Sequence, residues 1–272
     1  MTTADAGPPQ WTLVDEGWGR KVADFATLSE PANAREYVFM HHRLGVDAGD
    51  RLLDVACGSG LSIELARLRG AVGHGLDASP RLVAVARDRS PGCDIRVGDM
   101  HALPWDEASF DVVTSFRGIW GTTPDAVAEL YRVLRPGGRI GITVWGHIKV
   151  SPGAWSLAPF RLAPAVKVDN QAAMVALGRP GAGEQLLPSH GFAAVERLEV
   201  PFAWEFADPE MYARALAATG PAYEAIQHVG EDEFRRAAVE GAREHLRDGL
   251  PLRAEINLVG YLARKPEGAG HP

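Results

Sequence analysis

The sequence predicts a doubly wound α/β fold, a parallel sheet with helices on both faces and helical cover at the start and late in the chain. Three observations predict it. From Arg51 to Gly146 short β-rich apolar runs alternate with helical segments, the rhythm of repeated β-α-β units. Runs such as Asp111-Val112-Val113 and Ile140-Gly141-Ile142-Thr143-Val144 are apolar on both faces, as parallel strands under helices require. A glycine-rich loop, Cys57-Gly58-Ser59-Gly60, follows the first strand directly, where open α/β sheets bind ligands.

Taken in order, Trp18–Leu28 and Pro31–Leu44 have helical spacing and would lie across the top or edge of the sheet. Arg51–Cys57, Ala71–Asp77, Cys93–Asp99, Phe110–Phe116 and Arg139–Gly146 read as strands, with helices Leu61–Arg69, Pro80–Arg89 and Pro124–Leu134 between them. Ser79-Pro80 and Thr123-Pro124 each place a capping side chain before a proline at the first helical position. Pro136-Gly137-Gly138 is expected to turn the chain into the fifth strand. Beyond it, Ile148–Gly183 has poor periodicity and Glu184–His190 is a short helix ended by Gly191. Val195–Phe206 alternates well enough for one long strand. Asp208-Pro209 then caps a helical stretch to about Asp248, broken near Gly230, before Glu255–Arg264 returns to strand. The domain organisation expected is one unit over 1–272: a helical cover (1–45), a ligand-binding core (46–150), and an acceptor-side segment (151–265) whose helical insertion spans about 208–250.

Composition narrows the function classes. The chain has 272 residues, 46% hydrophobic and 23% charged, enough for one sizeable core. The net charge of -7 and the lack of any basic run of five argue against a nucleic-acid partner. Two cysteines, Cys57 and Cys93, neither in a CxxC arrangement, exclude a disulfide scaffold or Cys-rich zinc module and suit a reducing cytoplasm. No basic-then-apolar leader and no run of about 18 apolar residues is present, so neither export nor a membrane partner is expected. No His/Cys/Asp/Glu cluster has metal-ligand spacing, so no metal is expected. The oligomeric state is left open, a homodimer among the alternatives.

The loop residues point to a particular kind of ligand. A dinucleotide fingerprint needs a third glycine where Ile63 stands, and an anionic pyrophosphate would disfavour Asp54 beside the loop; both features favour a ligand with a cationic end. Asp77, closing the second strand, can accept both hydroxyl protons of a ribose. At the end of the third strand, Asp99 offers a carboxylate for an exocyclic adenine amine and Met100 an apolar side chain for the ring face. A single strand-end Asp is more often a cap or turn residue, and Asp99 could simply start the turn to Leu103-Pro104. Three acids at three adjacent strand ends are harder to explain that way.

In these segments the sequence resembles the class I S-adenosylmethionine-dependent methyltransferases, particularly the small-molecule type related to ubiquinone-biosynthesis methyltransferases. The resemblance is carried by Leu53-Asp54-Val55-Ala56-Cys57-Gly58-Ser59-Gly60, Gly75-Leu76-Asp77-Ala78-Ser79, Gly98-Asp99-Met100-His101-Ala102-Leu103-Pro104, Phe110-Asp111-Val112-Val113 and Leu134-Arg135-Pro136-Gly137-Gly138. It implies a Rossmann-like seven-stranded sheet with the last strand antiparallel, and S-adenosyl-L-methionine as cofactor. By position it implies that Gly58 and Gly60 face the methionine part, Asp77 the ribose, and Asp99 with Met100 the adenine. Asp54 would lie near the ligand's amino group, through water or backbone, and Ala56, Cys57, Ala78 and Phe116 beside the cofactor. His101 reads as lining of the same pocket. Ala56 stands where the family usually has glycine, a substitution expected to be tolerable on a strand.

The function expected is methyl transfer to an oxygen, nitrogen or carbon of a small-molecule acceptor by direct displacement (EC 2.1.1.-). The alternative keeps the fold and cofactor but acts as a cyclase or ligand-binding scaffold. Displacement needs alignment in a dry site more than a dedicated base. Where a base is needed His147, after the fifth strand, is the candidate, against the commoner reading of an exposed loop histidine. Arg117, Trp120 and Trp145 are the acceptor-binding candidates, with Trp155 and Trp204 as further pocket or core aromatics. Arg20, His41 and His42 are as readily ordinary surface residues.

Overall fold

The computed structural model describes residues 10–119, 124–164 and 175–268. Short helical turns, Asp15–Gly19, Val22–Asp24, Phe25–Ser29 and Glu30–Asn33, lead into α1 (Ala34–Leu44). The core then alternates β1 (Arg51–Val55), α2 (Leu61–Leu68), β2 (Val72–Asp77), α3 (Pro80–Arg89), β3 (Asp94–Val97), β4 (Phe110–Phe116), α4 (Pro124–Val133) and β5 (Leu134–Trp145). After α5 (Ala182–Ser189) come β6 (Ala193–Val200) and β7 (Ala203–Phe206), then α6 (Pro209–Ala217), α7 (Gly220–Val229) and α8 (Glu231–Arg243), and finally β8 (Leu252–Glu255) and β9 (Leu258–Arg264).

Seven strands form one sheet in the order β3-β2-β1-β4-β5-β9-β6, with β9 antiparallel to both its neighbours. The order reverses between β1 and β4, which pair in parallel, so a crevice opens at their carboxyl ends. Leu52, Leu53 and Val55 of β1 and Val112 and Val113 of β4 are fully buried, as expected of central strands covered on both faces. On one face α1 packs so closely that a Cβ at Gly141 would lie 2.7 Å from Leu44 Cδ1, so a glycine is required in the middle of β5.

Four elements differ from expectation, each for a physical reason. The long strand foreseen over Val195–Phe206 is two strands, because Pro201 has no N–H for a ladder; β6 stays in the main sheet and β7 pairs with β8 in a separate two-stranded sheet. The closing strand divides likewise into β8 and β9 around Ile256-Asn257. Pro136-Gly137-Gly138 lies inside β5, where Phe110 and Val112 of β4 pair with Leu134 and Arg139, so three extra residues interrupt the ladder, and Gly137 takes φ +75°. The helix expected over Trp18–Leu28 is a chain of separate turns, with Gly17 set close against Gly220. The insertion's break at Gly230 is present, at φ +87°, and its last helix ends at Arg243. Thr123, foreseen as the cap of α4, lies outside the described residues.

Candidate functional site

A cavity of about 530 Å³ lies at the carboxyl ends of β1 to β4 and is closed over by the N-terminal turns. Its floor holds Ala56, Cys57, Gly58, Asp77, Ala78, Gly98, Asp99, Met100, His101, Phe116, Arg117 and Gly118. Every residue named from sequence as facing a cofactor is on that floor except Asp54 and Gly60, and Arg117 of the acceptor candidates joins them. Trp11, Val14, Trp18, Phe25, Glu30, Asn33 and Tyr37 come from the N-terminal segment.

The loop after β1 is tied to the end of β2 by one carboxylate. Asp77 Oδ2 accepts the Gly58 N–H at 2.8 Å and Oδ1 accepts the Ser79 N–H at 2.8 Å. Burial pushes the Asp77 carboxyl up, while those backbone donors pull against it. Asp99 Oδ1 accepts the His101 N–H at 2.9 Å and meets His101 Nδ1 at 2.6 Å. Asp99 therefore organises a turn and faces the cavity at once. Glu30, fully buried, accepts hydrogen bonds from Ser59 Oγ and Arg89 on the far side of the loop, and burial raises its carboxyl.

Gly60 is not among the residues lining the cavity. A Cβ there would lie 2.7 Å from the Ala86 Cβ, so its glycine serves the packing of α2 on α3. Asp54 is buried beneath the loop, where Thr114 Oγ1 donates to it at 2.7 Å, and does not line the cavity. Burial lifts its carboxyl from 3.8 to about 8. Nearby, His41 Nε2 and Ser62 Oγ are 3.3 Å apart, and burial lowers that imidazole to about 4.

These two groups have opposite linkage to pH. Asp54 keeps its proton in the folded state, so its contribution to stability is present at low pH and falls as pH rises from about 4 towards 8. His41 is neutral when folded, so its contribution rises with pH between about 4 and 6.5. Urea titrations should therefore show stability declining from pH 6.5 to 8. In Asp54→Asn that decline should flatten, and an unchanged slope would refute the assignment.

Ala56 lies just past the end of β1, not on the strand, and takes φ +61°. A Cβ in the left-handed region costs about 1–2 kcal/mol, and glycine's looser unfolded chain returns part of that. Ala56→Gly should therefore raise stability by about 0.5–1 kcal/mol, read as a higher urea midpoint at unchanged slope.

Arg117 also has a positive φ, +57°, directly after β4. Its guanidinium is 2.9 Å from Glu36 Oε2 and lies over the Trp145 and Phe202 rings at 5.3 and 5.1 Å. Glu36 Oε1 accepts the Thr143 hydroxyl at 2.5 Å. Trp145 thus supports Arg117 from outside the cavity lining. His147 is exposed and does not line the cavity. Trp120 lies outside the described residues. Trp204 is core, Trp155 stacks on His245 at 4.3 Å, Arg20 donates to the Ala217 carbonyl, and His42 is exposed.

Sequence reasoning missed Glu30, Asn33, Glu36 and Tyr37. A signal for them exists: Asn33, Tyr37 and His41 run at i, i+4, i+8 and Glu36 sits four before Met40, so polar side chains occupy the buried stripe of an amphipathic helix.

The strand order, the antiparallel β9 and the glycine loop facing acids at the ends of β2 and β3 define a class I methyltransferase fold. Residues 53–142 match the family described as methyltransferase domain. Among curated proteins, a demethylmenaquinone methyltransferase of Renibacterium salmoninarum is 38% identical over 117 residues, 40% of this chain and 49% of that protein. The chain spans about half the length of the curated relatives it matches first. A phosphoethanolamine N-methyltransferase 2 from Haemonchus contortus aligns over 95% of this chain and 61% of its own, with TM-score 0.60 and 19% identity. The [4+2]-cyclase SpnF aligns over 85% of this chain and 81% of its own, with TM-score 0.55 and 23% identity. These two share the fold. No helix among the described residues is long and apolar enough to cross a membrane.

Proposed function

We propose that the chain is an S-adenosylmethionine-dependent methyltransferase acting on a small-molecule acceptor. The observation that supports this most is the convergence of Gly58, Asp77, Asp99 and Met100, from three separate strand ends, on one cavity. The lining fits that cofactor on chemical grounds: a buried carboxylate for a ribose diol, a second beside an apolar side chain for an adenine, and buried Glu30 across the loop for an ammonium group. A volume of about 530 Å³ suits a ligand of that size.

When bound, S-adenosylmethionine supplies an electrophilic methyl on a sulfonium, which direct displacement passes to an oxygen, nitrogen or carbon of the acceptor. The chain's part is to hold and dry the site. Asp77 fixes the Gly58 loop while keeping a face to the cavity, and Trp11, Trp18, Phe25 and Phe116 exclude water around the reacting groups. With His147 outside the cavity and His101 engaged by Asp99, alignment does the work and no dedicated base enters this reading. The two free thiols, Cys57 and Cys93, are in keeping with a cytoplasmic setting. The chain is read as one working unit, with the helical insertion as cover.

Calorimetry with S-adenosylhomocysteine tests the reading: micromolar binding is expected, and no binding by the wild-type protein would end it. Binding without transfer of labelled methyl to any acceptor in an extract would favour a cyclase or scaffold instead.

A further inference from the structure

The cavity has two ends. Asp99 and Met100 follow β3, Phe116 follows β4, and the order β3-β2-β1-β4 sets those ends three strand spacings, about 14 Å, apart. At the β4 end, two polar side chains from the N-terminal segment reach the cavity wall, and no interaction described so far employs them. Asn33 and Tyr37 are each 6% exposed and both line the cavity. The Tyr37 ring packs on Phe116 with centroids 4.6 Å apart.

Asn33 Nδ2 donates to Tyr37 Oη at 3.1 Å. The hydroxyl's lone pair is thereby engaged and its proton is left to donate; no acceptor for it is recorded among the described residues. A buried hydroxyl with an unmade hydrogen bond is costly unless a ligand completes it. The charged groups that face it, Glu30, Glu36 and Arg117, are held by Ser59 and Arg89, by Thr143, and by Glu36 respectively. Burial holds the phenol well above its usual range, so it remains a donor throughout the physiological range.

We propose that Tyr37, oriented by Asn33, is the specificity-determining donor for an acceptor oxygen, and that the acceptor is a flat, largely apolar ring system bearing a hydroxyl or carbonyl oxygen. The proposal rests on the methyltransferase reading and deepens it by naming the acceptor class. The walls support the flat ring: Phe116 packs on Tyr37 at this end, Trp18 and Phe25 are further aromatic side chains lining the same cavity, and the hydroxyl supplies the directional contact that a purely apolar surface lacks. An acceptor lacking the oxygen leaves the Tyr37 proton unsatisfied, which is where the discrimination comes from.

The test uses the full chain saturated with S-adenosylhomocysteine and two probes differing by one hydroxyl, 2-naphthol and naphthalene, with affinities read by fluorescence or calorimetry. The wild-type protein is expected to prefer 2-naphthol by about tenfold, and Tyr37→Phe to bring the two within about twofold while S-adenosylhomocysteine affinity stays within twofold. Asn33→Ala should narrow the preference to about threefold, and this second variant decides the matter if Tyr37→Phe does not fold. A wild-type protein that does not distinguish the probes, or a Tyr37→Phe variant that retains the preference, overturns the proposal. So does a tenfold loss of S-adenosylhomocysteine affinity in Tyr37→Phe, which would assign the hydroxyl to the cofactor. Failure of the wild-type protein to bind S-adenosylhomocysteine is a separate result: it strikes the methyltransferase reading, while the probe comparison on the unliganded protein still reports on the Asn33–Tyr37 pair.

Discussion

Asp77→Asn is expected to weaken S-adenosylhomocysteine binding by about 30- to 100-fold. Asp77 has three tasks at once: it accepts the Gly58 N–H, it accepts the Ser79 N–H, and it presents a carboxylate to the cavity. The asparagine retains only one acceptor oxygen. Its amide nitrogen must then face either the Gly58 or the Ser79 N–H, donor against donor, so the loop loosens as the charge is lost. Hydrogen bonds to a charged group contribute about 1.5–3 kcal/mol each, which sets the range. Asp99→Asn is the internal comparison. That carboxylate is 30% exposed and partly engaged by His101, so a loss of tenfold or less is expected. Calorimetry on both variants decides: an Asp77→Asn protein within threefold of wild type would remove Asp77 from the ligand's contacts.

The largest effect on stability is expected at Glu36. Its side chain is wholly buried and faces an Arg117 guanidinium that is only 13% exposed, so Glu36→Ala removes a carboxylate 2.9 Å from a largely buried positive charge that lies over Trp145 and Phe202. Removing one partner of a buried pair costs about 3–5 kcal/mol, because the remaining ion stays desolvated. Replacing both partners by apolar groups of similar shape is far milder. Urea unfolding should therefore show Glu36→Ala strongly destabilised, and Glu36→Ala with Arg117→Met recovering more than half of the loss. A double variant no better than the single one would mean that the pair is not the source of the cost. The same pair shapes the cavity wall, since Arg117 lines it.

Much of the core was legible because its signals are local. The alternation of Leu52-Leu53-Asp54-Val55 with the glycine loop, and the acids ending β2 and β3, depend on residues adjacent in sequence, and nine of the eleven positions named for the cofactor line the cavity. The two that do not, Asp54 and Gly60, sit in the same motif yet answer to burial and helix packing, which spacing cannot separate from ligand contact. What was not legible depends on distant pairs. Glu36 meets Arg117, Glu30 meets Ser59 and Arg89, and Asn33 and Tyr37 face the end of β4; each joins the N-terminal segment to the core across the sheet. The two late strands were read as unbroken because their alternation continues through Pro201 and through Ile256-Asn257, and only the partner available to each half decides where it pairs.

That division of the late strands sets the insertion outside the ladders of the main sheet. Among the described residues β7 and β8 pair only with each other, and the last pair of their ladder, Phe206 with Leu252, brackets all three helices α6 to α8. In topological terms α6 to α8 form one long hairpin loop grown from the rim of the sheet. Changes in the length or sequence of these helices leave the ladder registers of the seven-stranded sheet intact and act instead on the N-terminal segment they pack against, where Ser29 donates to the Ala215 carbonyl and Arg20 to the Ala217 carbonyl.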